Sequence, residues 1–139
     1  MEQNKALQMI SIARKGRKIE MGEEPVNAAT RAAKARLVIV ANDASDHALR
    51  RVKSFVAGTK QPYLTVPFDK DTLGGAMGTT SCAMAAFTDV RLALAFVRAL
   101  GEDEKHTELL EDLEHRAARV AQREKEEKAH RSNVRFRKK

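Results

Sequence analysis

The sequence predicts an α/β fold, a three-layer α-β-α sandwich with a sheet of about four strands, followed by a long charged C-terminal helix. Helical and strand-like patterns alternate over residues 1–101, one central run is continuously apolar, and the composition becomes strongly charged from residue 102. Such alternation indicates a sheet covered by helices on both faces. We therefore expect, in a chain of 139 residues, one domain over residues 1–101 and a charged helix with a basic tail over residues 102–139.

Apolar spacing and end signals indicate the first two helices. Residues 2–15 carry apolar side chains three and four positions apart, as on one face of a helix, and Gly16 follows as a stop. A second helix begins at Gly22 or Glu23. Pro25 then lies in the first turn, where its missing N–H is tolerated, and the carboxylates there suit the positive end of the helix dipole.

Three segments are predicted to be strands. Residues 36–41 form a continuous, β-branched apolar run, which is typical of a central strand buried on both faces. Residues 63–66 form a shorter strand that ends at Pro67, and residues 81–87 form a strand of small side chains. The sheet is therefore expected to be built around residues 36–41.

The next helices begin at polar residues that can cap free N–H groups. Ser45 or Asp43 caps the helix after the central strand, Asp69 caps a short helix, and Asp89 caps a helix that ends at Gly101. Each of these helices follows a predicted strand, so the alternation of elements holds to the end of the domain.

The C-terminal helix has a narrow apolar stripe. Leu110, Leu113, Ala117 and Val120 repeat over only two heptads, which favours packing on the domain over a coiled coil. Beyond residue 128 acidic residues are absent, and the tail is predicted to be disordered in the free protein and to contact RNA nonspecifically. Its basic residues are Arg131, Arg135, Arg137, Lys138 and Lys139.

Charge and cysteine content limit the class of protein. The net charge is +7, with +6 in residues 1–60, −6 in residues 61–115 and +7 in residues 116–139. This distribution allows two basic surfaces and indicates a polyanionic partner. The single cysteine, Cys82, excludes an internal disulfide, and no apolar run approaches the roughly 20 residues that span a membrane. A reducing cytoplasm and no membrane contact are expected.

The chain offers little catalytic or metal-binding chemistry. Its histidines and its cysteine lack metal-ligand spacing, and the glycine-rich residues 73–78 lack the Lys-Ser/Thr ending of a phosphate-binding loop, so neither a metal nor a cofactor is expected. Asp43, Asp46 and His47 lie at a strand end, where α/β enzymes place catalytic groups, but helix capping explains the aspartates more simply. We predict that the protein is not an enzyme; an enzyme using Asp43 and His47 remains a third alternative.

An ordered set of short motifs runs through the domain. The segment GEEPVNAATRAAKARLVIVANDAS, residues 22–45, is followed by QPYLTVPFDKDTLGGAMG, residues 61–78, and by a strand of small residues. In this order they resemble the ribosomal-protein family of the archaeal large-subunit protein L-seven-Ae and the eukaryotic protein L-thirty-e, and its small bacterial members above all. The resemblance covers residues 9–100.

The resemblance implies an α-β-α sandwich that binds RNA kink-turns or related internal loops. In the family, the start of the glycine-opened helix contacts the bent RNA backbone, and the loop before the last strand covers an extruded base. Free N–H groups at a helix start suit phosphate, and proteins read RNA chiefly at bulges and loops. The implied RNA-binding residues are Gly22, Glu23, Glu24, Asn27, Lys18, Arg36, Asn42, Asp43, Ser45, Leu73, Gly74, Thr79, Thr80 and Ser81.

This chain departs from the family pattern at the helix start. The family's Asn-Glu pair falls on Glu24 and Pro25, and its helix lysine falls on Ala28. Glu23 and Glu24 either accept hydrogen bonds from guanine edges or only stabilise the helix start. Basic residues before these elements are expected to contact phosphates. They are Arg14, Lys15, Arg17, Lys18, Lys34 and Arg36.

The function predicted is that of a non-catalytic, cytoplasmic protein that recognises structured RNA, with ribosomal RNA among the candidates. The alternative is a protein–protein interaction module, because the same fold has relatives that bind proteins and because residues 61–115 are acidic.

Overall fold

The structure, a computed structural model, describes the backbone of residues 2–137 and the side chains of residues 4–132. It confirms the α/β fold class, with helices and strands alternating and a long helix at the C-terminal end. The helices are α1 (Glu2–Lys15), α2 (Glu23–Arg31), α3 (Asp46–Val56), α4 (Lys70–Ala76), α5 (Val90–Ala99) and α6 (Thr107–Arg137), the last preceded by a 3-10 turn, Asp103–His106. The strands are β1 (Ile19–Met21), β2 (Leu37–Val40), β3 (Tyr63–Thr65) and β4 (Met84–Phe87).

Strand β2 lies inside a sheet of order β1-β4-β2-β3. It pairs antiparallel with β4 and parallel with β3, and all four of its residues are buried, which confirms the central strand expected from its apolar run. Strand β1 was not predicted. It has three residues and buries fully only Ile19, so its sequence carries almost no strand signal, and it forms because β4 offers it an edge for antiparallel pairing.

The side chains of β2 alternate between two apolar layers. Leu37 and Ile39 pack in the cluster that contains α1 and α5, whereas Val38 and Val40 pack with the apolar residues of α2 and α3. Because successive side chains of a strand point to opposite faces, a run that is apolar at every position requires cover on both sides. The sheet is therefore the middle layer of three, as predicted.

Helix α6 packs on the layer of α1 and α5, as its apolar stripe predicted. Leu110 and Leu113 are buried in that core, Leu113 completely, and Ala117 and Val120 are partly buried against it. The end of the chain was predicted wrongly as disordered, since the backbone stays helical to Arg137. Residues 129–137 contain neither glycine nor proline, so nothing in them terminates a helix. The predicted RNA contacts of Arg135, Arg137, Lys138 and Lys139 fall on side chains outside the described residues.

Within residues 2–137, no helix combines the length and the apolar character needed to cross a membrane. The longest, α6, is charged along most of its length, and the apolar stripe of Leu110, Leu113, Ala117 and Val120 packs on the layer of α1 and α5.

Candidate nucleic-acid interface

The predicted loops meet at one end of the sheet, which we call the rim (residues 22–27, 42–45 and 73–82). The backbone N–H of Gly22 donates to the carbonyl of Met84 at 3.0 Å, and the N–H of Ala41 donates to the carbonyl of Ala83 at 2.9 Å. The segments that leave β1 and β2 thus lie on either side of the segment that enters β4. This places the start of α2, the loop after β2 and the loop before β4 side by side.

Gly22 allows β1 to turn directly into α2. Its φ of 96° and ψ of 163° fall in a region that is accessible almost only to glycine. No side chain of the described residues caps α2, so the N–H groups of Glu23 and Glu24 lack both an intrahelical acceptor and a capping oxygen. Pro25 contributes no N–H. The helix therefore begins with two donors available to an anion, close to its positive dipole end.

Arg51 moderates the negative charge at this helix start. Its guanidinium forms a salt bridge with the Glu23 carboxylate and lies over the ring of Phe55, 5.0 Å from the ring centroid. Arg51 was not among the residues expected at the interface. Its signal was present in the adjacent arginines of α3, but only the packing of α3 against α2 shows which of them reaches Glu23. Glu24 remains exposed beside half-buried Asn27.

The polar corner after β2 caps two helices. The Ser45 hydroxyl accepts a hydrogen bond from the N–H of Ala48 at 3.1 Å, so Ser45 is the cap of α3. Asp43 instead accepts from the N–H of Lys70 at 2.8 Å, at the start of α4. Of the two alternatives predicted for the α3 cap, Ser45 is correct, and Asp43 joins the loop after β2 to α4.

The loop before β4 is attached to the same corner. The N–H of Cys82 donates to the carbonyl of Lys70 at 3.0 Å, and the N–H of Asn42 donates to the carbonyl of Phe68 at 2.9 Å. These bonds connect the loop after β2, the start of α4 and the loop before β4 in one network. The sequence predicted that β4 begins at residue 81, but it begins at Met84. The reason is that the N–H of Cys82 is bonded to α4 and not to the sheet.

Gly74 lets this loop approach α4 closely. A Cβ at Gly74 would lie 2.6 Å from the backbone nitrogen of Ser81 and 2.8 Å from the carbonyl carbon of Thr80, distances that real Cβ atoms do not tolerate. Leu73 is fully buried and Gly74 is buried as well, so both shape the rim from inside. Thr79, Thr80 and Ser81 are exposed on its surface, as are Asn42, Asp43 and Ser45.

Cys82 belongs to the core of the rim. Burial raises the pKa of its thiol, while hydrogen bonds with the backbone of Met84 and Gly22 and the charge of Arg14 lower that pKa. The Sγ atom donates to the carbonyl of Met84 at 3.1 Å. A buried, protonated thiol is a poor nucleophile. The contacts of Cys82 therefore hold the loop against Gly22.

Two predicted phosphate contacts lie away from the rim. The carbonyl of Lys18 accepts from the N–H of Thr88 at 2.8 Å, and the N–H of Arg36 donates to the carbonyl of Phe87 at 2.7 Å, so both residues lie at the opposite end of the sheet. At about 3.3 Å per strand residue, Arg36 is roughly 20 Å along the strand from Asn42. Lys18 and Arg36 were expected near the rim because they precede its elements in the chain.

The rim does not assemble the groups of the third alternative. Asp43 is engaged by the start of α4, His47 is exposed, and no hydrogen bond between described residues joins them. Among residues 4–132, no three His, Cys, Asp or Glu side chains gather as a metal-ligand set. The rim presents backbone N–H groups, hydroxyls, amides and the exposed carboxylates of Glu23, Glu24 and Asp43. These groups suit recognition of a polar ligand.

Comparison with solved structures shows the same fold. The chain is similar to a protein of unknown function from Bacillus halodurans C, with 23% identity and a TM-score of 0.65, over 70% of this chain and 98% of that one. It is also similar to the 15.5kD RNA binding protein of Giardia lamblia, with 20% identity and a TM-score of 0.60, over 75% of this chain and 88% of that one. No curated protein sequence matches the chain.

The sequence itself supports a family assignment over most of the domain. Residues 4–93 match the ribosomal protein L7Ae/L30e/S12e/Gadd45 family, a span that runs from α1 into α5 and includes the whole rim. The match ends before α6, so that helix is an addition to the matched region. The chain therefore belongs to the ribosomal protein L7Ae/L30e/S12e/Gadd45 family.

Proposed function

We propose that this protein is a non-catalytic, cytoplasmic RNA-binding protein that recognises a kink-turn or related internal loop, in ribosomal or another structured RNA, through the rim. The observation that carries the proposal is the uncapped start of α2 beside the loop before β4, in a chain of this family. The similar Giardia lamblia protein is described as RNA-binding, which supports the same class of ligand.

The chemistry of the rim supports a bent RNA rather than a regular duplex. The N–H groups of Glu23 and Glu24 suit one phosphate, and the paired state of Glu23 reduces repulsion of the backbone. The exposed carboxylate of Glu24 suits the N–H donors on a guanine edge, which are accessible where bases are unpaired or sheared. The hydroxyls of Thr79, Thr80 and Ser81 line the side on which a displaced base would lie.

The test compares binding of a kink-turn RNA and a plain RNA duplex of equal length. We expect the wild-type chain to prefer the kink-turn and Gly22→Asp to abolish this preference, because a side chain at φ 96° distorts the helix start and the carboxylate repels phosphate. Gly58→Asp is the matched control, since it makes the same charge change at another glycine of positive φ, at the far end of α3. Equal binding of both RNAs by the wild type would refute the proposal.

A protein-binding role is the second candidate. It is favoured by Glu24 and Pro25, which add a negative charge and remove a donor at the position where an RNA phosphate would bind. If this role is correct, the wild-type chain binds both RNAs only weakly and without a kink-turn preference, and the Gly22→Asp substitution changes neither affinity.

A further inference from the structure

A second basic surface lies at the end of the sheet opposite the rim. We call it the basic groove, and define it by Arg36, Lys60, Arg116, Arg119 and Arg123. These residues line a cavity of about 330 Å³ between the start of β2, the segment before β3, and α6. One carboxylate, that of Asp112, lines it as well. The groove lies largely outside the family match, which ends at residue 93, because three of its five cations belong to α6.

One wall of the groove is a stripe of arginines on α6. Arg116, Arg119 and Arg123 are three and four positions apart, so they share one face of the helix and span about 10 Å at about 1.5 Å per residue. Arg116 is held by Asp112 at 3.1 Å and donates to the carbonyl of Lys60 at 2.9 Å. Arg119 and Arg123 are exposed and form no salt bridge with any residue whose side chain is described. The Nη2 atom of Arg119 lies 3.0 Å from His115 Nε2. Within the described residues, Arg119 and Arg123 therefore have no carboxylate partner that would compete with an anionic ligand.

The other wall is positioned by a buried amide. Gln61 accepts from the N–H of Ala35 at 3.0 Å and donates to the carbonyl of Thr30 at 3.0 Å. These bonds hold the residues next to Arg36 and Lys60 together across the ends of β2 and β3. The guanidinium of Arg36 donates to the carbonyl of Ala33 at 3.1 Å, and the residue is half-buried. This hydrogen bond restricts the orientation of the guanidinium.

Two acidic residues of α6 near the groove are paired with arginines of α5. Glu124 is paired with Arg91 at 2.8 Å, and Glu114 is paired with Arg98 at 3.1 Å. These pairs join α6 to α5 and remove two carboxylates from competition for the groove. The groove is therefore preorganised, because its helix is anchored by Leu113 and by ion pairs while the charge it presents is almost entirely positive.

We propose that the basic groove binds the phosphate backbone of RNA, as a second contact surface separate from the rim. A line of guanidinium groups about 10 Å long matches an extended polyanion, and guanidinium binds phosphate in bidentate geometry. The contact reads no sequence and depends on salt. The inference rests on the proposed function only for the class of ligand, since the groove requires neither a kink-turn nor an intact rim.

The test uses the full chain, a plain RNA duplex and a salt series. We expect Arg119→Glu with Arg123→Glu to weaken duplex binding about tenfold or more and to lower the slope of log K against log salt by about two, one for each lost phosphate contact. Lys125→Glu with Lys128→Glu is the matched control, because it makes the same charge change at exposed residues of α6 that do not line the cavity. Circular dichroism confirms that both variants are folded.

Two outcomes overturn the inference. One is that the groove variant and its control weaken duplex binding equally, which would mean that only net charge matters. The other is that the groove variant no longer binds a poly-glutamate peptide, which the wild type binds, but still binds the RNA duplex as tightly as the wild type. That result would mean that the groove binds an acidic protein.

The kink-turn preference is measured in the same experiment. If Gly22→Asp abolishes that preference and leaves duplex binding intact, rim and groove act separately, and failure of either one is distinguishable from failure of the other.

Discussion

Gly74 is the residue on which the close approach of the loop before β4 to α4 depends. Gly74→Ala is expected to destabilise the protein by about 1–3 kcal/mol, because the added methyl group overlaps the backbone of Thr80 and Ser81 and the loop has to move. The same shift is expected to reduce the kink-turn preference. Urea denaturation measures the first effect and competition between the two RNAs measures the second.

Gly75 provides the control at the adjacent position. A Cβ there meets no atom within 4 Å, and the residue lies within α4, so Gly75→Ala is expected to be neutral or to stabilise the protein by up to about 1 kcal/mol. If both variants lose stability to the same extent, flexibility of the glycine pair matters more than the close approach of the loop, and the steric explanation is wrong.

Asp43 connects the loop after β2 to α4 through one acceptor atom. Removing that acceptor in Asp43→Ala is expected to cost about 1 kcal/mol of unfolding free energy, because the N–H of Lys70 loses its partner. Asp43→Asn keeps an acceptor oxygen and is expected to retain most of the stability. Equal loss in both variants, measured by thermal denaturation, would indicate that the charge of Asp43 matters rather than its hydrogen bond.

At the scale of the element, α6 is tied to the core by Leu113. Leu113→Ala is expected to destabilise the whole protein by about 2–5 kcal/mol, because the side chain is completely buried. Glu111→Ala, at an exposed position two residues away, is expected to change stability by no more than about 0.5 kcal/mol. We expect one cooperative unfolding transition in both. A separate early transition of α6 would instead favour the division at residue 101 that the sequence predicts.

Helix α4 gives the pH dependence expected of a charged N-cap. The Asp69 side chain accepts from the N–H of Thr72 at 2.7 Å, and hydrogen bonding with Thr72 holds the pKa of Asp69 below its usual value. Its folded pKa is therefore lower than its unfolded pKa of about 3.9, so its stabilisation is present above that value and is lost as the pH falls through the folded pKa.

Asp69→Asn tests this contribution, because it keeps the capping oxygen and removes the titrating charge. The stability of the wild type is expected to fall more steeply than that of the variant when urea denaturation is repeated from about pH 6 to about pH 3. The same slope in both proteins would show that other carboxylates account for the acid dependence.

The elements were predictable where a single stretch of sequence determines them. The apolar run of β2, the Asp69 cap and the stripe of α6 are local signals, and the structure confirms each. Strand β1 was not predictable in this way, because it depends on the free edge of β4. Of the rim, the sequence identified Gly22 and the loop before β4 but not the bond from Asp43 to Lys70 or the pairing of Arg51, which both require distant segments to meet.

At the scale of the whole molecule, the same logic explains why Lys18 and Arg36 were placed near the rim. Each precedes a rim element by only a few residues, but an intervening strand carries the chain to the other end of the sheet. Arg36 thereby meets Lys60 and α6, from segments that sequence analysis treats separately. Arg36, which was expected to contact RNA at the rim, is thus part of the basic groove.

The opposite positions of rim and groove predict that one RNA can engage both. A kink-turn RNA with one arm extended past the rim by more than the roughly 20 Å between them is expected to bind the wild type at least about tenfold more tightly than the unextended RNA, because the second contact is intramolecular once the first has formed. The advantage is expected to disappear in the variant with Arg119→Glu and Arg123→Glu and to persist in the control with Lys125→Glu and Lys128→Glu. An RNA in which the other arm is extended, away from the groove, is the control. It is expected to bind no more tightly than the unextended RNA. If both extensions help equally and the groove variant keeps the advantage, added length alone increases affinity, and the two surfaces do not act on one RNA.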